Sequence, residues 1–132
     1  LYGIDELLTY HYLIAEMFRF VEIKPENFWQ LSKKERADLV WRTLFVENTP
    51  LSEACIGVLT VLSELGLNPN TRNLGEIRDF FQSQNISEHI NRVFQIANVS
   101  QVVMTNDPFD LEEVEIWENG AILDERFCAA LR

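Results

Sequence analysis

The chain has 132 residues, 47% of them apolar, and a formal net charge of −10. That is enough apolar side chain for the core of one ordinary domain, and it excludes a disordered tail. With 11 Lys and Arg against 21 acids, and no basic run longer than Lys33-Lys34, a nucleic-acid surface is excluded as well.

The first predicted element is a helix over residues 4–20. At helical spacing one face reads Ile4, Leu7, Leu8, His11, Ile14, Ala15, Phe18. His11 therefore falls inside an apolar stripe, with Tyr10 and Tyr12 on either side of it in sequence. Spacing alone reads it as a packed histidine with one satisfied hydrogen bond. The extended stretch before Pro25 ends this helix, and a short helical turn follows over 26–31. Ser32-Lys33-Lys34-Glu35 is a capping box. It opens a helix with Ala37, Val40, Trp41, Leu44 and Phe45 on one face, broken at Asn48-Thr49-Pro50.

Ser52 caps a helix over 53–65 that is apolar on most of its surface, which places it at the centre of a bundle. Gly57 within it lets a neighbouring backbone approach, and Gly66 stops it before the turn Leu67-Asn68-Pro69-Asn70. Asn73 caps a helix over 74–84 with the face Leu74, Ile77, Phe80, Phe81. Ser87 caps another over 88–98 with the face Ile90, Val93, Phe94, Ala97. His89, among polar neighbours, reads as a solvated or capping histidine without a role.

The pattern then changes. Residues 99–105 form a β-type run ended by Asn106-Asp107-Pro108. Asp110-Leu111-Glu112-Glu113 opens a further helix, with Leu111, Val114 and Trp117 on one face and Asn119-Gly120 at its end. Residues 127–131 are a second β-type run. Two strands joined through a helix make a right-handed βαβ unit, and the rest of such a sheet lies outside this sequence. The sequence thus reads as a piece of a longer protein. It is mainly α, a multi-helix insert over 1–99 followed by a β-α-β segment over 100–132.

Chemistry in parallel α/β folds collects where strands end at their carboxyl edge. That rule selects Asp107, held extended before Pro108, and Arg132, whose guanidinium could clamp a carboxylate in two places. The plainer readings are an Asx turn at Asp107 and a surface arginine at Arg132. There is no Gly-rich phosphate loop, no nucleophile elbow and no paired-histidine metal motif, and two distant histidines make no metal site. Glu112 and Glu113 read as surface acids, and Trp29, Trp41 and Trp117 as packing residues. Cys55 and Cys128 lie among apolar or small neighbours and read as buried hydrophobes of a reducing compartment. The acidic first twenty residues are unlike a signal peptide, and no apolar run is of membrane-spanning length, so the expected location is cytoplasmic.

Three segments carry a resemblance to a known family. Asp5-Glu6-Leu7-Leu8-Thr9-Tyr10-His11-Tyr12 resembles the Asp-His-Tyr segment that follows the first barrel strand in the uronate isomerase (glucuronate isomerase) family of the amidohydrolase superfamily. Val102-Val103-Met104-Thr105-Asn106-Asp107-Pro108 resembles the strand end that follows that family's helical insert, and residues 127–132 its next strand, which ends in arginine. Tyr10 stands where the family's pattern has aspartate, and Asn106 where it has the first acid. The resemblance implies a (β/α)8 metal-dependent hydrolase-like barrel in the parent. Its reaction interconverts aldose and ketose uronates of the glucuronate/fructuronate type by moving a proton between adjacent carbons. By matched position, His11 and Tyr12 are catalytic, while Arg132 and Asp107 bind the sugar acid. A divalent metal, zinc, has all its ligands outside this chain, which is expected to be inert alone. Neither a nucleic acid nor a membrane is an expected partner, and homo-oligomerisation is left open. The other readings are a different metal-dependent hydrolase of the superfamily and a non-enzymatic helical interaction module.

Overall fold

A computed structural model describes residues 3–107, 109, 111, 114, 115 and 124–131. The chain divides into two compact units, 1–86 and 87–132.

The first unit is helical: α1 (Ile4–Leu8), α2 (His11–Met17), α3 (Pro25–Gln30), α4 (Lys33–Trp41), a π-helical segment (Arg42–Glu47), α5 (Glu53–Glu64) and α6 (Leu74–Ser83). α1 packs on α4 and α6, and α2 on α4 and α5. Their buried faces meet in one core that includes Ile4, Leu8, Leu13, Met17, Phe28, Val40, Leu62 and Ile77.

The single helix expected over 4–20 is two helices. Thr9 ends α1: its amide and hydroxyl both donate to the Asp5 carbonyl, at 3.0 and 2.7 Å. Such back-bonding by a β-branched residue weakens helix continuation. Tyr10 is then extended (φ −66, ψ 139), and α2 starts after it. The gain is in packing. On one unbroken helix Leu13 and Met17 would lie about 180° and 220° around from Ile4, at roughly 100° per residue. The break turns both onto the shared core. His11 accordingly leaves the apolar stripe and is exposed, as is Ala15.

Ser32 and Glu35 form the expected capping box at the start of α4, each side chain satisfying the other's backbone N–H. The continuation expected to stay α-helical widens to π at Arg42. Asn48 Nδ2 closes that segment by donating to the Thr43 carbonyl at 2.8 Å. Trp41 stacks on Phe45, with ring centroids 4.8 Å apart and 15° between planes. Trp29, expected to be packed, is exposed under the Arg36 guanidinium, 5.2 Å from the ring centroid.

α5 does not occupy the centre. It packs through one stripe, Cys55, Val58, Leu62 and Leu65, at i, i+3, i+7, i+10. Away from that stripe Ile56 is 50% exposed and Val61 40%, and a Cβ at Gly57 would meet nothing within 4 Å. Gly66 (φ 80) ends the helix, with the Gly66 amide donating to Ser63 O and the Leu67 amide to Leu62 O, both at 2.9 Å. This pair of bonds satisfies two carbonyls that the helix end leaves free.

α7 (Ile86–Ala97) spans the boundary. The second unit carries most of it, together with β1 (Val102–Asn106) and β2 (Phe127–Leu131). The strands pair in parallel, Val102 opposite Phe127 through Asn106 opposite Leu131. Phe94 of α7 meets Phe127 edge-on at 5.5 Å and carries the Arg126 guanidinium 4.4 Å above its ring. Arg126 also binds Asp124 (Nε to Oδ1, 2.8 Å), which lowers the Asp124 pKa to about 2. Cys128 is only half-buried, unlike Cys55. Most of the helix expected from Asp110, including Trp117, lies outside the described residues.

His89 corrects another expectation: it is 7% exposed rather than solvated. Burial, with Arg92 adding to it, pushes its pKa below the usual histidine value.

Candidate functional site

The break between α1 and α2 sets three rings in succession on an exposed turn. The ring centroids of Tyr10 and His11 are 4.3 Å apart, those of His11 and Tyr12 4.2 Å, and those of Tyr10 and Tyr12 5.5 Å. Tyr12 is 62% exposed and Tyr10 43%. An imidazole donates and accepts a proton, and a phenol donates a hydrogen bond to an oxygen gaining charge. The turn therefore presents proton-handling groups without first unfolding anything around them.

Tyr10 and Tyr12 also line a groove of about 740 Å³ between α2 and α5, with Leu13, Glu16, Ser52 and Val61 among its other walls. Its polar corner is a short relay. The Ser52 hydroxyl donates to Glu16 Oε2 at 2.6 Å and accepts the Cys55 amide at 3.1 Å. The Cys55 thiol lies 3.8 Å from the same Glu16 oxygen. Burial pushes that thiol's pKa up, Ser52 opposes the shift and Glu16 adds to it, so the sulfur stays protonated and donates. Neither Glu16 nor its bond to Ser52 was marked by the sequence. The available signal was only that Glu16 follows Tyr12 by four positions, on the same helical face.

A second polar cluster anchors the helix before the turn. Arg78 of α6 donates through Nε to Asp5 Oδ1 at 2.9 Å, and its Nη1 pairs with Asp38 Oδ1 of α4 at 2.7 Å. Its Nη2 donates to the Lys34 carbonyl at 3.3 Å. The same Asp5 supplies the carbonyl that binds Thr9, immediately before the aromatic turn.

Of the four site residues read from the sequence, His11 and Tyr12 stand together in the first unit. Asp107 belongs to the second, exposed just past β1, with its Oδ1 accepting the Phe109 amide at 2.9 Å as in an Asx turn. Arg132 lies outside the described residues. Among the described residues no three His, Cys, Asp or Glu side chains converge as metal ligands. The described side chains therefore do not by themselves make up a metal centre. Among the same residues no helix is long and apolar enough to cross a membrane.

A helical segment followed by a parallel strand pair defines the class by fold: a mainly helical segment with a short β-α-β-type continuation. No family model and no curated protein matches the chain. Among solved structures it is similar to a uronate isomerase from Bacillus halodurans C-125, at 54% identity over 100% of its own length and a TM-score of 0.93. The chain spans 31% of the length of that protein. Along its whole length the chain matches part of that uronate isomerase, a helical insert with its following strands.

Proposed function

We propose that the full-length protein containing this chain interconverts aldose and ketose uronates, of the glucuronate and fructuronate type, inside a (β/α)8 barrel. The observation that carries the proposal is the 54% identity over the whole chain to a uronate isomerase. The exposed placement of His11 beside Tyr12 supports it.

The reaction takes the proton from C2 of the aldose, shifts the electron pair to the C1 carbonyl and places a proton on O1, giving an enediol. Returning a proton to C1 while O2 loses its own gives the ketose. His11 contacts the substrate or the shuttled proton, since one imidazole serves as base and then as acid. Tyr12 donates to the oxygen on which charge develops. By matched position in the family pattern, Asp107 and Arg132 are assigned to binding the sugar acid, a guanidinium suiting its carboxylate. A divalent metal, zinc, would be held by residues outside this chain, and the chemistry it would supply there is polarisation of the carbonyl. The sugar acid is the partner, and the enzyme works in the cytoplasm.

The test is direct. The full-length protein is incubated with glucuronate and ketose formation is followed. Ketose appears without cleavage of any bond in the carbon skeleton. Hydrolysis of an ester or amide substrate with no ketose formed would instead favour the other superfamily reading.

A further inference from the structure

The bond that orients α2 lies one helical turn beyond the aromatic rings. Glu16 follows Tyr12 at i+4, so both side chains sit on the face of α2 that lines the groove. From that face Glu16 Oε2 accepts the Ser52 hydroxyl at 2.6 Å. Ser52 itself is fixed, because its oxygen caps α5 by accepting the Cys55 amide. The rest of α2 is held by apolar burial of Leu13, Ile14 and Met17. Such burial is non-directional: it sets how deep the helix lies and tolerates small rotations. A short hydrogen bond to a carboxylate is directional. α2 has seven residues, too few to hold its shape unaided, and a turn separates it from α1.

We infer that Glu16 is a positioning residue for the isomerisation: its bond to Ser52 sets the rotation of α2 and hence the direction in which His11 and Tyr12 face the substrate. The inference rests on the role given to those two residues above. A rotation of about 10° moves a side chain at about 6 Å from the helix axis by about 1 Å. A displacement of that size at reacting groups costs on the order of 100-fold in rate.

The experiment uses the full-length protein and steady-state kinetics with glucuronate, comparing Glu16→Ala, Glu16→Gln, Ser52→Asp and His11→Asn. Glutamine keeps an acceptor for the Ser52 hydroxyl. Aspartate at position 52 keeps a good N-cap for α5 but sets a carboxylate against Glu16. Glu16→Ala and Ser52→Asp are expected to lower kcat roughly 10- to 100-fold with KM changed less than about twofold, and Glu16→Gln to recover most of the rate. Wild-type kcat in Glu16→Ala, or a Glu16→Gln variant as slow as Glu16→Ala, overturns the inference. Should Glu16→Ala not fold, Ser52→Asp against Glu16→Gln decides in the same way. His11→Asn keeps the two claims apart. If it turns over at full rate, the role of His11 is refuted. If it is slow while Glu16→Ala is not, only the positioning is.

Discussion

Arg78→Met removes a guanidinium that ties α1, α4 and α6 together. The Arg78 side chain is 13% exposed and pairs with Asp5 and Asp38 at 2.9 and 2.7 Å. Burial works against its charge, but the hydrogen bonds and charges of Asp5 and Asp38 outweigh it and raise the Arg78 pKa. The two pairs are not equal. The Asp38 side chain is half exposed, so its pair contributes at most about 1 kcal/mol. The Asp5 side chain is more enclosed, and a hydrogen bond to a charged group there contributes roughly 1.5–3 kcal/mol. Methionine retains the stem packing but leaves both carboxylates without their cation. The expected loss is therefore about 2–3 kcal/mol, or about 6–12 °C in Tm for a domain of this size. Thermal denaturation of the chain by circular dichroism measures it, and a double-mutant cycle with Asp5→Asn isolates the pair. A coupling of about 1.5 kcal/mol or more is expected. A coupling near zero, with Tm moved by less than about 2 °C, refutes the anchoring role.

Two further perturbations act on single features. The folded-state pKa of His89 lies below its unfolded value of about 6.5, so the unfolded chain takes up the proton more readily. Stability is therefore full above about pH 6.5 and falls as pH drops from there through the folded pKa, a dependence that urea titrations at pH 8 and pH 5 detect. His89→Leu should flatten it, and an unchanged slope between the two proteins removes His89 as the cause. Gly66→Ala forces a side chain into φ 80 and should cost about 1–2 kcal/mol, read as a lower urea midpoint at constant m. A midpoint equal to that of the wild type contradicts the strain.

Features encoded within four or five residues were legible before any fold was known. The Ser32–Glu35 box, the Gly66 stop and the Asn73 cap each follow from side chains that satisfy backbone groups close by in sequence. What failed depended on which faces meet. The break at Thr9–Tyr10 exists because Leu8 and Leu13 share one core, which periodicity over one helix cannot reveal. The open side of α5 and the burial of His89 are tertiary facts of the same kind. The Glu16–Ser52 bond joins residues 36 positions apart, beyond any local pattern. His11 is instructive in the opposite sense. Spacing read it as a packed residue and the family pattern read it as catalytic, and its exposure removes the packing reading.

That role is open to one comparison in the full-length protein: turnover of glucuronate by His11→Asn set against its melting temperature. An exposed residue whose ring meets only Tyr10 and Tyr12 among the described rings should leave Tm within about 2 °C of wild type. The same change should lower kcat by about 100-fold or more, as loss of a general acid–base does. A variant that loses melting temperature while keeping its rate would return His11 to a structural part and remove the chemistry from this turn.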